Sequence, residues 1–236
     1  MTTFVLVAGA WHGAWTWRRV TAILRSAGHE VHPVTLTGLG DRAHLGRPET
    51  GLGDHVQDVL ATLDAEELDA VVLVGHSYAG HVVGNVAARA PRRIAHVVHL
   101  DSTLPADGRS HFDLAPPELR GYAEESARTG GDGWRWPWPG REGFEPWFGD
   151  LGIADEDWRW LDAHSVGHPI ATMREPSPSG VSDPGVRRTY VYCTKGPTPS
   201  PVSADDPDWG YAEVDANHWA MVTHPREVAE VLLELG

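Results

Sequence analysis

Val71-Val72-Leu73-Val74-Gly75-His76-Ser77-Tyr78-Ala79-Gly80 runs from an apolar strand signal into a helical one, with a serine at the corner. A serine on such a turn is held in strained backbone geometry, its hydroxyl presented at the C-terminal edge of a sheet, as a nucleophile requires. Small neighbours are needed because strand and helix backbones pass close together there. The segment departs from the G-x-S-x-G pattern by one methyl, since Ala79 fills the last position and Gly80 follows. The bland alternative is a glycine-rich turn with an idle serine. The apolar strand before Ser77 and the helix after it argue against that.

A serine hydroxyl is a weak nucleophile without a base and an oxyanion site. The chain has fourteen histidines, so position must select among them. His218, in Ala216-Asn217-His218-Trp219-Ala220-Met221, lies between the last strand signal and the final helix. In an open α/β sheet that loop returns to the edge bearing the serine. His12, His76, His81 and His99 are read instead as hydrogen-bonded structural or pocket residues. Oxyanion donors should be backbone N–H groups: that of Tyr78, after the nucleophile, and one in Ala8-Gly9-Ala10-Trp11-His12-Gly13, taken as Ala10.

The elements that must position these groups alternate. Thr3–Val7, His29–Leu36, Ala70–Val74 and Ile94–Leu100 read as strands, separated by helical stripes such as Val20, Ile23, Leu24, Ala27 and Val56, Val59, Leu60, Leu63. Arg188–Cys193 and Tyr211–Val214 resume the pattern before a last helix opened by Pro225. This order predicts one α/β domain over residues 1–236, a mainly parallel, doubly wound sheet with helices on both faces. Between them, about 104–186, periodicity is poor and six of the eleven tryptophans fall between Trp134 and Trp160. A long irregular stretch inside a domain reads as a lid or cap. Trp11, His76, Trp134, Trp136 and Trp219 are the candidates for a substrate pocket, since tryptophan lines apolar sites as well as packing lids.

The formal net charge of −14 argues against nucleic-acid or anionic-membrane partners and reads as solubility; the partner expected is a small-molecule substrate. One cysteine, Cys193, excludes an internal disulfide and fits a reducing compartment. The apolar stretch in MTTFVLVAGAWHG lacks a basic flank and is too short to span a bilayer, so the expectation is a soluble, cytoplasmic protein. A homodimer stays open as the assembly. Gly38-Leu39-Gly40 lacks the third glycine of a dinucleotide fingerprint, so no cofactor is expected. His96 and His99, three apart on a strand, face opposite sides, and His164 and His168 have no carboxylate or thiol partners at a known spacing. No metal site is expected.

Taken together, FVLVAGAWHGAW, LTGLGDRAHL, VVLVGHSYAG, HLDSTLPADG and NHWAMVTHPREVAEVLLEL resemble the small α/β-hydrolases that include plant methyl esterases and hydroxynitrile lyases. The resemblance covers nearly the whole chain except the middle of the tryptophan-rich segment. It implies the α/β-hydrolase fold without its first strands, a cap after the fourth predicted strand, and a Ser-His-acid triad. Two positions depart from the pattern. Ala8-Gly9 replaces a His-Gly, which leaves backbone donation intact. Thr194-Lys195-Gly196-Pro197 stands where the esterase pattern has its aspartate. Two replacements are open: Asp101 at the end of a strand, or Asp205 or Asp206 folding back from a loop. A strand end is the more rigid support for a histidine, which favours Asp101; its bland reading is a turn cap. The resulting function is hydrolysis of a small or medium, apolar or aromatic carboxylic ester. The alternative is a lyase, cyclase or cofactor-free oxygenase using the same pocket. Trp219 stands where hydroxynitrile lyases have lysine, against that lyase.

Overall fold

The computed structural model describes residues 1–181, 185–196 and 198–236, without the side chain of Trp147; Pro197 lies outside the described residues. In chain order the elements are β1 (Thr3–Val7), α1 (Arg18–Ser26), β2 (Glu30–Val34), α2 (Leu52–Ala65), β3 (Val71–His76), α3 (Ala79–Arg89) and β4 (Ile94–Leu100). After an insertion come β7 (Arg187–Cys193) and β8 (Gly210–Val214), then α9 (Ala220–Thr223) and α10 (Pro225–Leu235). The insertion contributes α4 (His111–Leu114), α5 (Pro117–Gly130), β5 (Arg135–Trp136), α6 (Gly140–Phe148), α7 (Asp155–His164), β6 (His168–Pro169) and α8 (Ala171–Arg174).

Six strands form one parallel sheet in the order β2-β1-β3-β4-β7-β8. Such a sheet is covered on both faces, and its central strands read accordingly: Phe4–Val7 and Val71–Val74 are almost wholly buried apolar runs. Each fully buried aliphatic side chain of this kind contributes roughly 1.5–3 kcal/mol. α1 packs with α10, and α2 with α3, the two helical layers flanking the sheet. Register brings the functional loops to one rim: Val7 pairs with Gly75, His76 with Leu100, and Leu100 with Val191. The chain therefore leaves β1, β3 and β4 at the same edge, at Ala8, Ser77 and Asp101.

The insertion is more ordered than its sequence suggests. Five short helices and an antiparallel β5–β6 pair replace the irregular lid expected there. Periodicity is a weak signal there because the helices other than α5 are ten residues or fewer, and α6 contains Pro146. Their local stop and start signals are nevertheless present. Ser110 Oγ accepts from Asp113 N–H at 3.2 Å, while Asp113 Oδ2 accepts from Ser110 N–H at 2.9 Å, a reciprocal cap that opens α4. Asp155, Glu156 and Asp157 crowd the first turn of α7, where the helix dipole favours acidic groups. Among the described residues no helix is long and apolar enough to cross a membrane.

Candidate active site

Ser77 closes β3 with φ of 55°, left-handed backbone that a non-glycine residue adopts only under constraint. Its N–H donates to Leu100 O at 3.3 Å, and its carbonyl accepts from Gly80 and Thr103 N–H at 3.1 and 3.3 Å. The glycines around it are spatial requirements. A Cβ on Gly80 would lie 2.1 Å from Thr103 O, and one on Gly75 2.6 Å from Val83. A Cβ on Gly9, at the start of the loop after β1, would lie 2.9 Å from both His76 Nδ1 and Ser77 Cβ. The methyl of Ala79, the one departure from the motif, is buried without displacing the turn.

His218 Nδ1–H donates to Asp101 Oδ2 at 2.6 Å, and the accepting Asp101 side chain is only 1% exposed. A charge-assisted bond this short fixes the imidazole tautomer and leaves Nε2 free to act as a base. Asp101 itself has φ of 42°, and its Oδ1 accepts from Cys193 N–H at 3.4 Å. Its own N–H donates to Val191 O at 2.8 Å, extending the ladder past the end of β4. Gly196 explains how the acid fits there. A Cβ at that position would stand 2.8 Å from Asp101 Oδ2, so the loop that carries the acid in the esterase pattern instead makes room for it. Asp205 and Asp206 are not brought to His218: Asp205 is exposed, and Asp206 Oδ1 accepts from Asp208 N–H at 2.9 Å within its own loop. Asn217 Oδ1 accepts from Trp219 N–H and Thr223 Oγ1, which holds the turn bearing His218.

Ser77 and His218 line one cavity. His76 joins them, donating from Nε2 to His218 O at 2.8 Å with the two rings 4.6 Å apart. Among the described residues the Ser77 hydroxyl has no side-chain hydrogen-bond partner and is open to the cavity; catalytic hydrogen bonds commonly tighten only when substrate binds. Burial, then the neighbouring His218, pushes the His12 pKa down to about 3. His76 is also held well below its ordinary value, by burial first and then by His218 and His12. Both therefore stay uncharged near neutral pH, and neither opposes a positive charge on His218.

Ala10 and Tyr78, both buried, line the same cavity. Among the described residues neither of their backbone N–H groups finds an acceptor, although buried N–H groups are normally paired. Two such donors flanking a strained serine can stabilise an oxyanion. Trp11 sits between them and the insertion with φ of 65°.

The cavity measures about 460 Å³, within the size of small-molecule sites. Trp11, His76, Trp136 and Trp219 line it as expected, joined by Phe144 and Phe148 from α6. His111, Leu119 and Tyr122 also line it, which the sequence reading missed. The cap at Ser110 and the Pro116-Pro117-Glu118 start of α5 were the signals that could have flagged them. Trp134 is a correction: it stands outside the cavity, under the Arg135 guanidinium at 4.1 Å and against the Gly46 turn. Trp134 lies in the turn before β5 (Arg135–Trp136), outside the strand's alternation, and of the two only Trp136 lines the cavity. His12 and His99 are hydrogen-bonded, to Trp219 Nε1 and Ser102 Oγ. His81 is not: both its ring nitrogens are buried without a partner among the described residues.

The comparisons with known proteins agree with this architecture. Residues 4–231 match the profile of the alpha/beta hydrolase family. The carbendazim hydrolyzing esterase of Nocardioides sp. (strain SG-4G) is 37% identical over 250 residues, covering all of both chains. Norfluorocurarine synthase 2 of Strychnos is 26% identical, over 98% of this chain and 94% of the relative. An extracellular alpha/beta-hydrolase from a Paenibacillus species superposes with a TM-score of 0.86 at 22% identity, over 100% and 99% of the two chains. On that match and on its parallel sheet flanked by helices, the chain belongs to the alpha/beta hydrolase family, as a carboxylesterase-like enzyme.

Proposed function

We propose that the protein hydrolyses a small or medium carboxylic ester with an apolar or aromatic part, through Ser77, His218 and Asp101. The observation that carries this reading is the 2.6 Å Asp101–His218 bond at the wall of the cavity that also exposes Ser77. His218 Nε2 takes the hydroxyl proton as Ser77 Oγ adds to the acyl carbon. The oxyanion lies against the N–H groups of Ala10 and Tyr78, which are otherwise unpaired. The imidazolium, held by Asp101, then protonates the departing alcohol and leaves an acyl-serine. Water adds to that ester with His218 again as base, and the acid is released. Segment 104–186 serves as the cap, and its Trp136, Phe144 and Phe148 supply an apolar wall that suits a flat or branched organic group better than a charged one.

The test is labelling by a fluorophosphonate probe together with turnover of an ester panel of rising acyl size that includes carbendazim, the compound in the name of the 37% identical relative. Expected are labelling at Ser77, loss of labelling in Ser77→Ala, and a fall in turnover of at least about 10³-fold in that variant. Product formation by a chain that the probe leaves unlabelled would instead favour a non-hydrolytic reaction in the same pocket.

A further inference from the structure

The geometry points to His168 as a positioning residue: the lone pair on its Nδ1 holds the Trp11 backbone N–H and thereby sets the loop that presents the Ala10 N–H to the reacting carbonyl. This rests on the hydrolase reading above.

The direction of each hydrogen bond can be worked out. Thr172 Oγ1 donates its proton to Pro169 O at 2.7 Å, so toward His168 Nε2, also 2.7 Å away, it can only accept. His168 therefore carries its proton on Nε2, and Nδ1 is a bare acceptor. That acceptor receives the Trp11 N–H at 3.3 Å. The imidazole is wholly buried and kept neutral, by burial first and then by His55, His111 and His12, so the acceptor persists across the working pH range. With both nitrogens engaged, His168 is committed to this contact.

Trp11 needs such a hold. Its φ of 65° is a conformation that a bulky residue keeps only when its surroundings impose it. Two further bonds from the insertion complete the clamp: Trp11 Nε1 donates to Trp136 O at 2.9 Å, and Trp11 O accepts from Val166 N–H at 3.0 Å. Every polar group of Trp11 is thus fixed by the insertion and none by the sheet. Because its N–H is spent on His168, Trp11 is removed as an oxyanion donor, which leaves that task to Ala10, one peptide earlier. The insertion then does more than cover the substrate. It assembles half of the oxyanion site.

The experiment separates the two nitrogens. His168→Asn places an amide oxygen where Nδ1 stood and keeps the acceptor for Trp11. His168→Gln reaches the Nε2 position and keeps only the Thr172 contact, and His168→Leu keeps neither. Steady-state kinetics on the best ester, melting temperatures, and affinity for a trifluoromethyl ketone analogue of that ester are measured for all three. Loss of one oriented oxyanion donor typically lowers kcat by about 10²-fold. Expected for Gln and Leu are kcat losses of about 30–100-fold with KM within threefold, matched by an equal loss of ketone affinity. Expected for Asn is a kcat within about fivefold of the unsubstituted enzyme. If Leu does not fold, the Gln–Asn pair carries the comparison alone. Equal kcat in Asn and Gln, or a loss carried by KM, overturns the proposal while the hydrolase reading stands. A native chain that neither labels nor turns over any ester overturns both.

Discussion

At the sheet rim, Ser77 and Asp101 sit at the ends of β3 and β4 in left-handed backbone, each locked by ladder hydrogen bonds to the neighbouring strand. In the insertion, β5 and β6 are two residues long and α4 and α8 only four, too short to be stable alone. Their order comes from side chains: Trp11 against Trp136 at 4.5 Å, Phe144 against Trp219 at 5.2 Å, Trp158 against Trp219 at 5.8 Å. The rim holds strained residues because a continuous sheet over-determines them. The insertion holds a shaped wall because aromatic area accumulates where regular structure does not.

That contrast can be broken at the rim with the largest effect. Asp101→Asn should lower kcat by about 10³–10⁴-fold with folding intact, because an amide at that site permits the wrong imidazole tautomer. Asp206→Asn, in the loop, should leave kcat within twofold. Similar effects from the two in a paired kinetic assay would remove Asp101 from its assigned place. In the wall, Phe148→Ala should act on selectivity instead. It opens the partly exposed margin of the cavity, so preference should move toward bulkier esters by about tenfold, roughly 1–2 kcal/mol, with kcat on the smallest ester nearly unchanged. A uniform fall across the ester series would place Phe148 with the machinery of the rim.

The smallest effect concerns acid stability. His12, His81 and His99 have folded pKa values of about 3, each lowered first by burial. An unfolded histidine titrates near 6.5. Because the folded value is depressed for a group that gains charge on protonation, the unfolded chain takes up the proton first. Stability is complete above about pH 6.5 and declines as the pH falls toward 3, by up to about 1.4 kcal/mol per pH unit for each group. His76, His111 and His168 are depressed as well, so urea midpoints should fall between pH 7 and pH 5, and His99→Asn should flatten that slope by at most about one sixth. A midpoint unchanged over that interval would show that these rings are already charged or exposed.

Much of the rim was legible in the chain because its causes are local. The apolar run Val71–Val74 followed by Gly75, a serine and small residues dictates a strand, a tight corner and a helix whatever lies elsewhere. The same holds for β4, whose bounds the sequence reading matches at both ends. His218 was found from its place between a strand and a helix, a consequence of topology. The insertion is poorly legible because its elements, α5 aside, are shorter than the windows in which periodicity shows; Trp134 and Trp136 both read as pocket residues, and only Trp136 lines the cavity.

The amino-acid sequence by itself determined the alternation of elements and the parallel sheet, and singled out Ser77 and His218 as candidate nucleophile and base, since each follows from residue types at fixed short spacing. Only the tertiary structure decided between Asp101 and the loop aspartates, because the choice depends on a 2.6 Å approach across 117 residues and on the space left by Gly196. It also decided that His168 and Trp11, 157 residues apart, share a hydrogen bond. Contacts between such distant positions are fixed by how the layers pack, and nothing in either local segment announces its partner.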